Sequence, residues 1–456
     1  MYWLFNKFIY DGESSLLKLE RCFCKLDVLK VFIISAGFWS LFLYKLVSFE
    51  NVFLFLAILS VFVFRRPLRE GLNFPKYWLF VLIFIFVFLA ILPLFLHQTV
   101  DSRWVHFLNT RSSSILMFLF VWIIFWQLKP SEDVLWWSLI VSSLVVSFVI
   151  VYELFILNDF NKIFTHRFGG LATAQILRYG IFSNLFTIIL LGGFLWAIRK
   201  GTKVIAVLII ATLLTFVGSL VSDTRSAWAG LPEALIAWSI FYWLYIKRNS
   251  VKNVRRAFML FMFFLISFII ILFYFGDRVE KRWDALVGGV NNYSQGVGHP
   301  GSVETRLILF EAGIKGFLEH PVIGVGQDAS AQEQQRLTAP IMKKRYGVGE
   351  GISETHLHNQ FIHEAFVRGG IGLLSLLMTL GYLLYFFGKR VKNNNKVGIF
   401  DPWPLAGSLF VVSLSISMFA DSTLFLRSGV AYVFFMATFL VFINYTMCNE
   451  THPSKS

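Results

Sequence analysis

Glu354-Thr355-His356-Leu357-His358-Asn359-Gln360 closes the one long segment of this chain, Gly276 to Ile362, that is not a run of apolar residues. About twelve hydrophobic runs surround it, about nine before and three after. The long uncharged runs approach the ~20 residues that a helix needs to cross a bilayer. Hydrocarbon offers no hydrogen-bond partner, so such a run satisfies its own backbone as a helix rather than as an open strand. Only 15% of the 456 residues are charged, against about 25% in a soluble domain. The expected fold is an all-α, polytopic membrane protein that does its chemistry at its one sizeable polar insert.

The first span is expected at 28–47 and a short second one at 51–64. Further spans follow at 77–96, 113–128, 134–157, 179–198, 204–221, 226–246 and 257–275, then at 365–387, 404–420 and 427–447. This divides the chain into an N-terminal membrane bundle at 1–275, the polar insert at 276–362 and a C-terminal membrane bundle at 363–456. The residues before the first span mix charges and aromatics, which does not read as a cleavable signal peptide.

The net charge of +14 points to membrane orientation rather than to nucleic acid, because the basic residues cluster in short loops between spans. One set of alternate loops includes Arg65, Arg66, Arg69, Arg199, Lys200, Arg255 and Arg256. It holds nearly three times the basic residues of the other short set, which has Arg103, Arg111, Lys162, Arg167, Arg178 and Arg225. The richer set belongs in the cytoplasm. Both termini are then cytoplasmic, and the insert faces the opposite side, the periplasm of a bacterium. Cys22-x-Cys24 and Cys448 lie near the chain ends, as thiols on a reduced face would, and give only a weak metal signal.

Within the insert, Val303, Leu307, Phe310, Ile314 and Phe317 recur at helical spacing, with Glu304, Glu311 and Lys315 opposite. This predicts an amphipathic helix over 302–318 capped by Ser302. Arg306 falls near its apolar stripe, an odd place for a merely solvated arginine. The stretch 327–351 carries Lys343-Lys344-Arg345 and reads as a polar linker, a mobile lid or a headgroup contact.

His358 lies just before a span, on the non-cytoplasmic side. It suits a general base near neutral pH, and equally a hydrogen-bonded interfacial histidine. His356 and His363 raise zinc as an alternative, yet spacings of two and five do not share a helical face, and no carboxylate or cysteine set accompanies them. Arg225, in the turn Ser222-Asp223-Thr224-Arg225-Ser226, is a charge held against the bilayer and so a site candidate; an ion pair with Asp223 is the competing reading. Arg167 and Arg306 share its membrane side. Three arginines and a histidine at one boundary suit a lipid-linked phosphate or diphosphate, since the guanidinium fork grips such oxygens bidentately.

These residues stand in a recognisable order: the Ser222–Gly230 turn with Arg225, Thr305-Arg306 leading to His320-Pro321-Val322-Ile323-Gly324-Val325-Gly326, then His356-Leu357-His358-Asn359 before Gly369-Gly370-Ile371-Gly372-Leu373-Leu374. In this the chain resembles the O-antigen ligase family, whose superfamily includes O-antigen polymerases and protein O-oligosaccharyltransferases. The architecture is similar from end to end, while the motifs lie within about 167–374. The resemblance implies a GT-C-like inner-membrane glycosyltransferase that takes glycan from undecaprenyl diphosphate on the periplasmic face, without a metal or other cofactor. By motif position, His358 matches the essential histidine, and Arg225 and Arg306 the diphosphate-binding arginines. Arg167 is a looser match, and no role is carried onto His356.

The implied reaction is inverting transfer of O-antigen to a lipid A-core sugar hydroxyl. Within the superfamily, the acceptor of a polymerase would be a second lipid-linked glycan and that of an oligosaccharyltransferase a protein. A flippase for lipid-linked sugars is the reading from another class. It would place ionisable groups near span centres or show inverted repeats, whereas here the basic groups sit at one boundary.

Overall fold

A computed structural model of the chain describes residues 25–43, 48–68, 119–157, 167–169, 176–248, 269, 273, 276–296, 300–397, 400–424 and 427–451. Every regular element among them is a helix. In chain order these are α1 (Lys25–Phe42), α2 (Phe49–Phe64), α3 (Leu119–Leu128), α4 (Glu132–Leu157), α5 (Ile176–Lys200), α6 (Thr202–Val221), the single turn α7 (Arg225–Trp228) and α8 (Leu231–Arg248). Then come α9 (Gly276–Gln295), α10 (Ser302–Glu319), α11 (Ser330–Tyr346), α12 (Gln360–Val397), α13 (Pro402–Ala420) and α14 (Arg427–Thr451). Five of them, α4, α5, α6, α12 and α13, are long and apolar enough to cross a membrane. Other helices fall where further spans are expected, while the expected spans at 77–96 and 257–275 lie outside the described residues, apart from residues 269 and 273.

Helix α5 is the centre of the bundle, buried against its neighbours along nearly its whole length. Aromatic side chains fill the space around it: Phe38 meets Phe186 and Phe435 edge-on at 5.0 and 4.5 Å, and Trp136 stacks on Trp403 at 4.2 Å. Lipid tails are as apolar as these rings, so packing and hydrogen bonds hold the helices together rather than exclusion of water. Buried hydroxyls are matched accordingly. Ser138, Ser142 and Thr212 donate to carbonyls one turn back at 2.6, 2.5 and 2.8 Å, and the Thr187 and Thr215 hydroxyls meet at 2.9 Å across α5 and α6. At one end of the bundle Arg199 and Lys200 pair with Glu132 and Asp133 at 2.8 and 2.5 Å. At the other, Glu153 accepts the Gly169 N–H at 2.9 Å.

Helices α9, α10 and α11 surround a second apolar core of Ile308, Leu309, Ala312, Val325, Leu337, Ile341, Met342 and Leu357, into which Phe366 and Val367 of α12 plug. Here the structure corrects two sequence expectations. The stretch 327–351 is no linker, for most of it is α11. Its inward face is Ser330, Gln334, Leu337, Thr338, Ile341 and Met342, a helical repeat in which half of the members are polar. The polar members are buried because they hold chain: Gln334 accepts the Glu354 N–H at 2.9 Å, and the Thr338 hydroxyl both accepts from and donates to Ile352, at 2.7 and 3.0 Å.

The second correction concerns the facing of α10. Its buried side is Val303, as expected, with Glu304, Ile308, Leu309, Ala312, Gly313 and Gly316, while Ile314 is exposed. Close approach decides this rather than bulk: a Cβ on Gly313 would lie 2.5 Å from Ile362, and one on Gly316 2.4 Å from Phe366. The helix cap is Gly301, without a side-chain bond, in place of the expected Ser302.

Helix α12 breaks at Gly369, where φ is 65°. A break strips backbone groups of their partners, a cost that must be met from nearby protein. The turn after α10 meets it. Val325 and Gly326 donate to the Phe366 and Val367 carbonyls at 2.9 and 3.0 Å, and Gly370 and Ile371 donate back to Pro321 and Val322 at 2.7 and 3.3 Å. Gly324, also left-handed at φ 72°, lies so close that a Cβ there would sit 2.4 Å from the Val367 carbonyl carbon.

Candidate active site

Four separate pieces of chain converge at the end of the bundle opposite Arg199. The loop 352–359, pinned by α11, delivers His356 and His358. The residue His358 has a φ of 53°, uncommon for a side chain other than glycine. Its neighbours impose this. Leu357 is wholly buried, and the Asn359 Oδ1 caps α12 by accepting the Phe361 and Ile362 N–H groups, both at 3.0 Å. The two imidazoles consequently lie side by side with ring centroids 4.3 Å apart.

Asp421, in the turn after α13, faces them. This buried carboxylate sits 3.7 Å from the His356 Nε2, and the other ring nitrogen of His356 lies 2.9 Å from the Thr355 hydroxyl. The Asp421 turn is clamped from both sides by the residues that follow His358. Asn359 donates to the Phe419 carbonyl at 2.9 Å, and Gln360 accepts the Leu424 N–H at 2.8 Å. Gln360 also donates to Glu364 at 2.8 Å, and Glu364 pairs with the buried Arg368. Asp421 escaped the sequence reading because it lies in a different loop, far along the chain; its only signal was a carboxylate at the end of a span.

The electrostatics follow from this enclosure. Burial, then the charges of His356 and Arg306, push the His358 imidazole down to about 4 against the pull of Asp421, so it is neutral at physiological pH. Burial alone would raise the Asp421 carboxyl, but His356, Arg178 and His358 outweigh it and hold the group below the usual carboxylate range. Arg306, on α10, is half-buried. Burial lowers its pKa, with Asp421 opposing, yet a guanidinium stays charged in proteins. It makes no hydrogen bond or ion pair with any described residue.

The turn bearing Arg225 belongs to the same end. Ser417 and Ser413 of α13 donate to the Ser226 and Gly230 carbonyls at 3.0 and 2.9 Å, so the first turn of α7 packs beside the helix that ends at Asp421. The structure fixes the backbone of Arg225. Asp223 itself is gripped by Arg282 of α9, whose Nε is 2.7 Å away, a partner distant along the chain that no motif marks. Arg167 reaches the same turn. Its guanidinium donates to the Ser222 and Asp223 carbonyls, each at 3.3 Å, and lies 3.9 Å from the Asp223 carboxylate.

Two imidazoles and a carboxylate, His356, His358 and Asp421, offer ligand atoms all within 4.8 Å of one another. The set is of the kind that holds a divalent cation with positions left open. The carboxylate missing from the sequence reading is supplied by Asp421, whereas His363 lies buried inside α12 and is not part of the set.

Residues 210–377 match the family described as O-antigen ligase. That stretch is similar to the O-antigen ligase family. Within the matched span lie Arg225, Arg306, His356 and His358, while Arg167 and Asp421 lie outside it. The chain is 25% identical to the O-antigen ligase of Escherichia coli K12 over 169 residues, 37% of this chain and 38% of that one. It is 22% identical to an uncharacterized protein of Haemophilus influenzae over 283 residues, 62% of this chain and 67% of the other. The aligned region thus spans well under half of the E. coli ligase. The matched stretch runs from α6 through the polar helices into α12.

Proposed function

We propose that this protein transfers O-antigen glycan from undecaprenyl diphosphate to a sugar hydroxyl of the lipid A core. The reaction would run on the periplasmic face of the bacterial inner membrane, with both termini in the cytoplasm. The observation behind the reading is a juxtaposition: Arg306 is half-buried and has no hydrogen bond or ion pair among the described residues, and its charge helps to depress the pKa of the His358 imidazole. A partly desolvated cation beside a potential base is costly in a resting protein and useful once an anion arrives.

In this reading Arg306 and Arg225 bind the donor diphosphate, and Arg167 holds the turn that carries Arg225. His358 takes the proton from the acceptor hydroxyl as its oxygen attacks the anomeric carbon. The C–O bond to the diphosphate breaks on the opposite face, so the configuration inverts. The arginines stabilise the charge that develops on the leaving diphosphate. Donor binding also tunes the base: a diphosphate on Arg306 offsets the charge that depresses His358, and so raises its basicity in the complex. Asp421 holds His356, and His356 packs against His358 to fix its ring.

The superfamily's other acceptors, a second lipid-linked glycan or a protein, would use the same donor site. A deletion strain separates the readings. Loss of a ligase leaves bare lipid A core with accumulated lipid-linked polymer, whereas loss of a polymerase leaves core capped by one repeat. An unchanged lipopolysaccharide ladder would reject both.

A further inference from the structure

Ile314, Leu318 and Val322 are 50%, 69% and 62% exposed, although each is a large aliphatic residue. Ile314 and Leu318 sit one turn apart on the side of α10 that faces away from its own core, and Val322 follows in the turn after it. The position of Val322 is fixed: its carbonyl accepts the Ile371 N–H at 3.3 Å, and the neighbouring Pro321 carbonyl accepts Gly370 at 2.7 Å. Val322 is therefore laced to α12, one of the helices apolar and long enough to cross a membrane. About one and two turns further along α12, Leu374, Leu377 and Met378 are 58%, 47% and 47% exposed. In a spanning helix such a face meets lipid.

The exposed aliphatics of α10 thus continue the lipid-facing surface of α12. The flanking charges suit a headgroup boundary. Lys315 pairs with Glu311 at 2.9 Å, and Glu319 with Arg336, so their stems can lie along apolar surface while paired heads stay wet. We infer that the C-terminal half of α10 and the Pro321–Val322 turn are embedded in the bilayer boundary, with Ile314, Leu318 and Val322 in contact with lipid. The polar insert is then anchored in the membrane and not merely tethered above it. Arg306 stands about 18 Å back along the same rigid helix, at 1.5 Å per residue, and its distance from the lipid is set by this footing. That last consequence rests on the diphosphate reading; the lipid contact does not.

Two measurements on the full-length protein test the contact. Cys22, Cys24 and Cys448 are replaced by serine, and single nitroxide-labelled cysteines are placed at Leu318 and Val322. Leu377 serves as the lipid reference, and Ser294 and Glu350 as the aqueous references. In proteoliposomes of phosphatidylethanolamine and phosphatidylglycerol, the ratio of oxygen to nickel-chelate collisions at Leu318 and Val322 should exceed the aqueous references several-fold and approach Leu377. Ratios equal to those at Ser294 and Glu350 overturn the inference. So does suppression of both collision rates, which would mean that protein, such as a second copy of the chain, covers the patch. For the wild-type chain in liposomes doped with a diazirine phospholipid, photo-adducts are expected on the peptide 314–322 as well as on 372–380. Adducts on the second alone also overturn it.

Discussion

Replacing Arg306 with alanine should separate a ligand-binding cation from a structural one. The guanidinium has no hydrogen bond or ion pair among the described residues, so its loss breaks none of those there. The stability change should stay within about 0.5 kcal/mol, as at sites without such contacts, or favour the variant, because a desolvated charge is removed. Donor affinity should behave otherwise. A charge-assisted hydrogen bond contributes ~1.5–3 kcal/mol, which at ~1.4 kcal/mol per decade is a loss of about 10- to 150-fold in binding. The same substitution removes one of the causes that hold His358 at about 4, so the acid limb of the free enzyme should move to higher pH. Lysine should restore only part of the affinity, since it keeps the charge and loses the fork. The assays are binding of undecaprenyl-diphosphate-linked glycan, thermal unfolding in detergent, and the pH profile of kcat/KM. A variant that binds donor like the wild type but unfolds at lower temperature would refute the reasoning.

Other expectations follow from the same contacts. The wild-type kcat/KM should be insensitive to protonation of His358 until pH falls toward about 4, because an imidazole with a depressed pKa stays neutral above it; a limb near 6.5 would contradict the enclosure described. Transfer should persist in EDTA, and a large loss restored by zinc or magnesium would instead assign His356, His358 and Asp421 to a metal. Gly324→Ala should destabilise the protein strongly, because the left-handed backbone and the 2.4 Å approach to Val367 both exclude a side chain; an unchanged unfolding temperature would argue against the lacing of α12. Cysteines at Ser294 and Glu350 should react with an impermeant maleimide in spheroplasts, and one at Asn393 should not; the reverse pattern would put the site in the cytosol.

The long helices were legible in the sequence because lipid makes the signal simple: an uncharged run of sufficient length has few other fates. Order and spacing singled out His358 and Arg306 as candidates, and the structure brings the two into each other's electrostatic reach. What was not legible depended on contacts between distant segments. The inward face of α11 alternates Gln334 and Thr338 with Leu337 and Ile341, so hydrophobicity alone shows no stripe, and the polar members make sense only with Ile352 and Glu354 in place. The facing of α10 turned on Gly313 and Gly316, which score as nothing in an apolar periodicity yet admit Ile362 and Phe366. Asp421 is an unremarked carboxylate until Asn359 and Gln360 clamp its turn beside His356.

The central claim, that His358 takes a proton while the arginines hold the donor, is tested most directly by single-turnover transfer and donor binding in His358→Ala, shown first to fold and insert. Donor binding should be nearly unchanged and turnover should fall by ~10²–10⁴-fold, the range for a general base. Turnover like the wild type's would contradict it, and so would loss of donor binding that Arg306→Ala does not share.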